Sequence, residues 1–196
     1  MTGSPPPTKI MIIRHAEKPP KPPNNAGPWD VLVTGQTGGG NSLIVPGWQR
    51  AGALNAFFAP YQSMPSNPKI ATPNYIYAAD PKGETQRPWE TVTPLAAWLN
   101  YPQDTPQFNI SYSVGGGEPD LVTSVLALSG VVLICWEHHN IMPNILGAVF
   151  ALGTSSHRTD ANARCLTPRN LLDLHASTTT RLVLPLPYPS SRGHHP

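Results

Sequence analysis

Charge is scarce in this chain. Only 12% of its 196 residues are Asp, Glu, Lys or Arg, about half the usual share. The 13 basic and 11 acidic residues leave a formal charge of +2, which excludes the basic surface of a nucleic-acid-binding protein, so no nucleic-acid partner is expected. Cysteine is nearly missing as well. Cys135 and Cys165 are the only two and form no C-x-x-C pair, so a disulfide framework is not expected. Long apolar runs are also missing: stretches such as Val131 to Trp136 fall far short of the ~20 residues that cross a bilayer, and no membrane span is expected. Met1 to Pro7 shows no basic stretch followed by an apolar one, and the expected location is cytoplasmic.

Proline and glycine are plentiful instead. The 25 Pro and 16 Gly make up about a fifth of the chain, which implies many loops but stays below the disordered range. The length suits one well-buried core.

Ile10 to Ile13 is a short apolar run that reads as a strand buried on both faces, with Arg14 and His15 at its C-terminal end. Pro19 to Gly40 has Pro pairs, an Asn pair and a Gly triplet without sustained period, which marks a long loop. From Pro46 the spacing of Trp48, Ala51, Leu54 and Phe58 predicts a helix. Tyr75 to Ala79 is a second strand, Asp80-Pro81-Lys82-Gly83 a turn, and Pro88 to Leu99 a second helix. Val122, Val125, Leu126 and Leu128 place a third helix before Gly130. Val131 to Cys135 is the clearest buried strand, followed by Glu137, His138 and His139, and Pro143 to Leu152 is a fourth, very apolar helix. Strands alternating with helices predict an α/β fold, a three-layer αβα sandwich on a mainly parallel sheet. Ligands of such sheets bind at the C-terminal ends of the strands, which singles out Arg14-His15, the segment Asp80 to Arg87, and Glu137-His138-His139.

After Gly153 the pattern changes. Residues 154–196 carry five Arg and two Asp with neither Lys nor Glu, for +3, against −1 for residues 1–153. Two regions are therefore expected: an α/β domain over 1–153, and an atypical C-terminal segment over 154–196 that is divergent, disordered or completes the sheet through a strand at Leu182 to Leu186.

Two Arg and two His gathered in one crevice suit a dianion such as a phosphoryl group, because the guanidinium fork matches phosphate oxygens. A neutral imidazole among them can act as nucleophile. Taken singly, each His also has the plain reading of a polar residue satisfied at a strand end. Trp48, Trp89 and Trp98 sit on helical patterns and are assigned to packing. Gly38 to Gly40 lacks the context and the Lys of a P-loop. Cys135, Glu137, His138 and His139 are metal-ligand types, but alternation along a strand sends neighbours to opposite faces, so no metal and no cofactor are expected.

Arg14-His15-Ala16-Glu17-Lys18-Pro19 after an Ile-rich strand resembles the signature of the histidine phosphatase superfamily, the phosphoglycerate-mutase-like proteins. The resemblance continues through Gly47-Trp48-Gln49-Arg50-Ala51, then Ala79-Asp80-Pro81 with Gln86-Arg87-Pro88-Trp89-Glu90-Thr91, and ends at Val132 to Ile141, covering residues 9–152 in family order. It implies that His15 is the phosphate-accepting histidine, Arg14 and Arg87 the phosphate clamps, and His138 the second pocket histidine. Where one branch of the family has an Asp directly after the second His, this chain has His139, which leaves Glu84, Glu137 and His139 as candidates for the acid. The implied activity is hydrolysis of a phosphomonoester or phosphohistidine, on a small phosphorylated substrate or a phosphoprotein, through a phosphohistidine on His15. The alternatives are a phosphotransferase of the mutase kind, for which the segment between Arg87 and Val131 is a short cap, and a non-catalytic phosphate-binding module. The sequence specifies no oligomeric state.

Overall fold

The structure is a computed structural model that describes residues 6–20, 30–32, 40–65, 67–83 and 85–155. In chain order the elements are β1 (Pro7–Arg14), α1 (Val45–Phe58), β2 (Tyr75–Ala79), α2 (Arg87–Trp98), β3 (Phe108–Tyr112), α3 (Glu118–Leu126) and β4 (Gly130–Trp136). A single helical turn α4 (His138–Asn140), a π-helix (Ile141–Leu146) and α5 (Gly147–Ser155) follow. The four strands form one sheet in the order β1-β4-β2-β3, and every pairing is parallel. This is the α/β fold that the alternation of elements predicts. No described helix is long and apolar enough to cross a membrane.

Alternation along each strand divides the core in two. Ile10, Ile12, Tyr77, Ala79, Val132, Ile134 and Trp136 point to one face, where Leu121, Val122 and Val125 of α3 meet Ile141, Ile145 and Leu146. Met11, Ile76, Ala78, Leu133 and Cys135 point to the other, against Phe58 and against Val92, Leu95 and Ala96 of α2. Strands covered on both faces have no polar side to show, which is why β1 and β4 read as unbroken apolar runs. Burial pushes the Cys135 thiol well up, so it behaves as a core apolar group.

The packing also fixes where a site can lie. Adjacent strands β1 and β4 lead their chains to opposite faces, β1 toward α1 and β4 toward the π-helix, so a crevice opens past their C-terminal ends. The register pairs Arg14 with Trp136, and the His15 amide donates to the Trp136 carbonyl at 3.2 Å. Residues 15 and 137 therefore leave the sheet side by side. Fully buried Trp136 is tied by its indole N–H to Glu118 Oε1 at 3.1 Å. Glu118 also accepts the amides of Gly115 and Gly116, both at 2.8 Å, at the start of α3.

Three elements differ from the sequence expectation. β3 is an added edge strand whose Phe108 and Ile110 face the core while Ser111 is exposed. α3 begins at Glu118, ahead of the apolar positions that announced it, and ends before Leu128. The expected helix at Pro143 to Leu152 instead begins at His138 and passes through the π-helix first. Pro143 lies inside this segment and, having no N–H, leaves the carbonyl of His139 without its α-helical donor. Helix α5 runs through residue 153, and residues 156–196, with the expected strand at Leu182 to Leu186, lie outside the described residues. So does the acid candidate Glu84.

Candidate active site

His15 begins the loop after β1 and is only 2% exposed. Its Nδ1 lies 2.7 Å from the Ala16 carbonyl oxygen. A carbonyl only accepts, so Nδ1 carries the proton and Nε2 carries the lone pair. That Nε2 is buried with no hydrogen-bond partner. Buried polar atoms are almost always partnered, and an unpartnered one marks a place where a further group is expected.

Burial, together with the positive charges of Arg87 and Arg14, lowers the His15 pKa to about 4 against the raising effect of the Ala16 hydrogen bond. The imidazole is therefore neutral at neutral pH, with its lone pair available for attack.

The other sequence-expected residues divide clearly. Arg14 is exposed at the end of β1, and its charge acts on both His15 and His138. Arg87 opens α2, and its guanidinium donates to the carbonyl of Ser42 at 3.3 Å and to that of Gly40. His138 packs edge-on to His15, with ring centroids 5.6 Å apart and planes at 73°. Its Nδ1 is 2.8 Å from Glu137 Oε1, an ion-pair distance outside hydrogen-bond geometry. Burial lowers the His138 pKa, Glu137 raises it, and Arg14 and His139 lower it again. Glu137 caps the turn α4, its Oε2 accepting the His139 amide at 2.7 Å.

His139 is exposed and lies against His138 with centroids 3.8 Å apart. It is not one of the group that His15, Glu137 and His138 form, in which one ligand-type atom from each lies within 4.8 Å of the others. Asp80 is engaged in its own turn, accepting the Lys82 amide at 2.9 Å.

Several residues that hold the site together were given no role by the sequence. Glu90, fully buried, accepts from Ser42 Oγ at 2.6 Å and from the Leu43 amide at 2.8 Å. Burial raises its pKa, and those two hydrogen bonds pull it back. Buried Asp30 accepts the amides of Gly40 and Ser42 at 2.7 and 3.0 Å. Thr91 Oγ1 accepts the Ala16 amide at 2.9 Å and donates to the Arg87 carbonyl at 2.7 Å, linking the His15 loop to the start of α2. Glu90 and Thr91 follow Arg87 by one helical turn, and that spacing was the available signal.

Gly47 completes the support. A Cβ there would lie 2.6 Å from the Glu17 carbonyl oxygen, so α1 touches the His15 loop only because position 47 has no side chain. Glu17 is held in turn by Arg50, which donates through Nε at 2.6 Å to its carboxylate. Burial pushes the Glu17 carboxyl up, but Arg50, a backbone hydrogen bond and the charge of Arg14 together outweigh it, so the net shift is downward.

A separate cavity of about 500 Å³ lies between the start of α3 and α5, lined among others by Gly115, Thr123, Asn144 and Leu152, and contains none of these residues. Comparison with known proteins found no matching family model, no matching curated protein and no matching solved structure.

Proposed function

We propose that this chain is a phosphatase of the histidine-nucleophile kind, acting on a phosphomonoester or phosphohistidine. The observation that carries this reading is the buried, tautomer-fixed His15, whose unpartnered Nε2 lies beside His138 under the charge of Arg14 and Arg87. In the first step the Nε2 lone pair forms an N–P bond as the bond from phosphorus to the leaving oxygen breaks, and that oxygen takes a proton. In the second step a water oxygen attacks phosphorus, gives up a proton, and the N–P electron pair returns to Nε2. Arg14, Arg87 and His138 hold the phosphoryl oxygens, so positioning and electrostatics supply most of the rate.

Of the two acid candidates among the described residues, Glu137 is favoured over His139 by its place in the cluster with His15. The plainer hydrolase is favoured over a mutase because the chain between α2 and β4 is spent on β3 and α3. A separate cap is what a mutase needs to keep water from its intermediate.

The test is a screen over small phosphomonoesters and phosphohistidine peptides, in chelator, across pH. Turnover is expected to survive chelation, since the charge stabilisation comes from Arg and His. A pKa of about 4 keeps His15 unprotonated far below the ordinary 6.5. The acid limb of kcat/KM, corrected for the substrate's own ionisation near ~6, therefore falls only toward pH ~4. A limb that falls near 6.5 contradicts the assigned nucleophile, and no turnover of any phosphorylated compound removes the reading.

A further inference from the structure

We propose that His15, Glu137 and His138 form a binding site for a divalent transition-metal ion of the zinc class, and that the ion blocks phosphoryl transfer by occupying the nucleophile. The blocking step rests on the phosphatase reading above, while the binding step does not. The sequence expectation of no metal came from alternation along a strand, but β4 ends at Trp136 and all three side chains lie beyond strand ends. Alternation therefore does not separate them. One ligand atom from each lies within 4.8 Å of the other two.

Tetrahedral zinc with bonds of about 2.0 to 2.1 Å needs ligand atoms roughly 3.4 Å apart, so the cluster has to close by no more than about 1.4 Å across its widest gap. Glu137 and His138 can make that movement. Their side chains are partly solvent-exposed, at 16% and 26%, and they sit at a single helical turn. His15 is the fixed member. Its Nδ1–H is given to the Ala16 carbonyl at 2.7 Å, the kind of outer hydrogen bond that orients metal-bound histidines and leaves Nε2 free to ligate.

That Nε2 is buried without a partner is the independent sign that a further group belongs there. Two imidazoles and one carboxylate, with a fourth position open, are a zinc-type set. The same set disfavours magnesium and calcium, which take oxygen ligands. Arg14 and Arg87 repel a cation, so zinc and a phosphoryl dianion compete for one pocket with opposite electrostatic preferences. Occupation of Nε2 by the metal removes the lone pair that attacks phosphorus.

Metal-free full chain titrated with cobalt(II) and followed by visible absorption, then displaced with zinc under calorimetry, tests both parts. A single site is expected, with zinc affinity reduced by ~10²-fold or more in His15→Ala, Glu137→Gln and His138→Ala, since loss of an outer partner alone costs 10- to 100-fold. Zinc-loaded protein should fail to accept phosphate from a labile phosphodonor that labels the chelated protein. Absence of stoichiometric binding, or affinity unchanged in Glu137→Gln, whose shape keeps the fold, overturns the site. Equal labelling with and without zinc overturns the block. Binding without any labelling of the metal-free chain removes the phosphatase reading and leaves the metal site standing.

Discussion

Replacing His15 by alanine lowers phosphomonoester turnover by a factor on the order of 10⁴ to 10⁶, the range seen when a covalent nucleophile is deleted. Only His15 among the described residues combines burial, a tautomer fixed by its own backbone, and an unpartnered nitrogen. No neighbour can take over. His138 is partly exposed and sits at the turn after β4 rather than being fixed by its own backbone, and His139 is exposed. The alanine variant leaves the Ala16 carbonyl without its donor, so His15→Asn, which retains a polar side chain of similar reach, is the companion. Both are checked by thermal melt before kinetics. Wild-type turnover in a folded His15 variant shows that the nucleophile lies elsewhere.

Arg87→Ala is expected to lower kcat by 10² to 10³, as for loss of one transition-state donor. Arg87 differs from Arg14 in how it is held. Its guanidinium is bound to the Ser42 and Gly40 carbonyls, and that segment is held by Asp30 and Glu90, so the fork arrives already oriented. Arg87→Lys keeps the charge but loses the planar fork, and an intermediate rate is expected. If lysine restores full activity, Arg87 acts as a point charge. Unchanged kcat in Arg87→Ala would show that residues 86–91 serve only to start α2.

The main lines of the fold were legible because they are written in local pattern. β1 and β4 are unbroken apolar runs, and the rule that parallel sheets bind at strand ends leads directly to His15 and His138. β3 was legible in principle, since Phe108-Asn109-Ile110-Ser111-Tyr112 alternates apolar and polar residues, but five residues between Pro and Gly clusters give a weak signal. The cradle around Arg87 was not legible. Asp30 lies in a stretch without period, and its amide partners Gly40 and Ser42 are fixed only by the folded loop. The grouping of Glu137 with His15 depends on the β1–β4 register, which no local pattern encodes.

The central claim is that His15 Nε2 forms a bond to phosphorus. Chelated protein incubated with a labile phosphodonor, quenched in alkali and mapped by mass spectrometry with 31P NMR, tests it most directly. The expected result is one acid-labile, base-stable phosphate on Nε2 of His15, absent from His15→Asn and lost on incubation in water. An acid-stable phosphate, a label on Nδ1, or a label that persists in His15→Asn would contradict it.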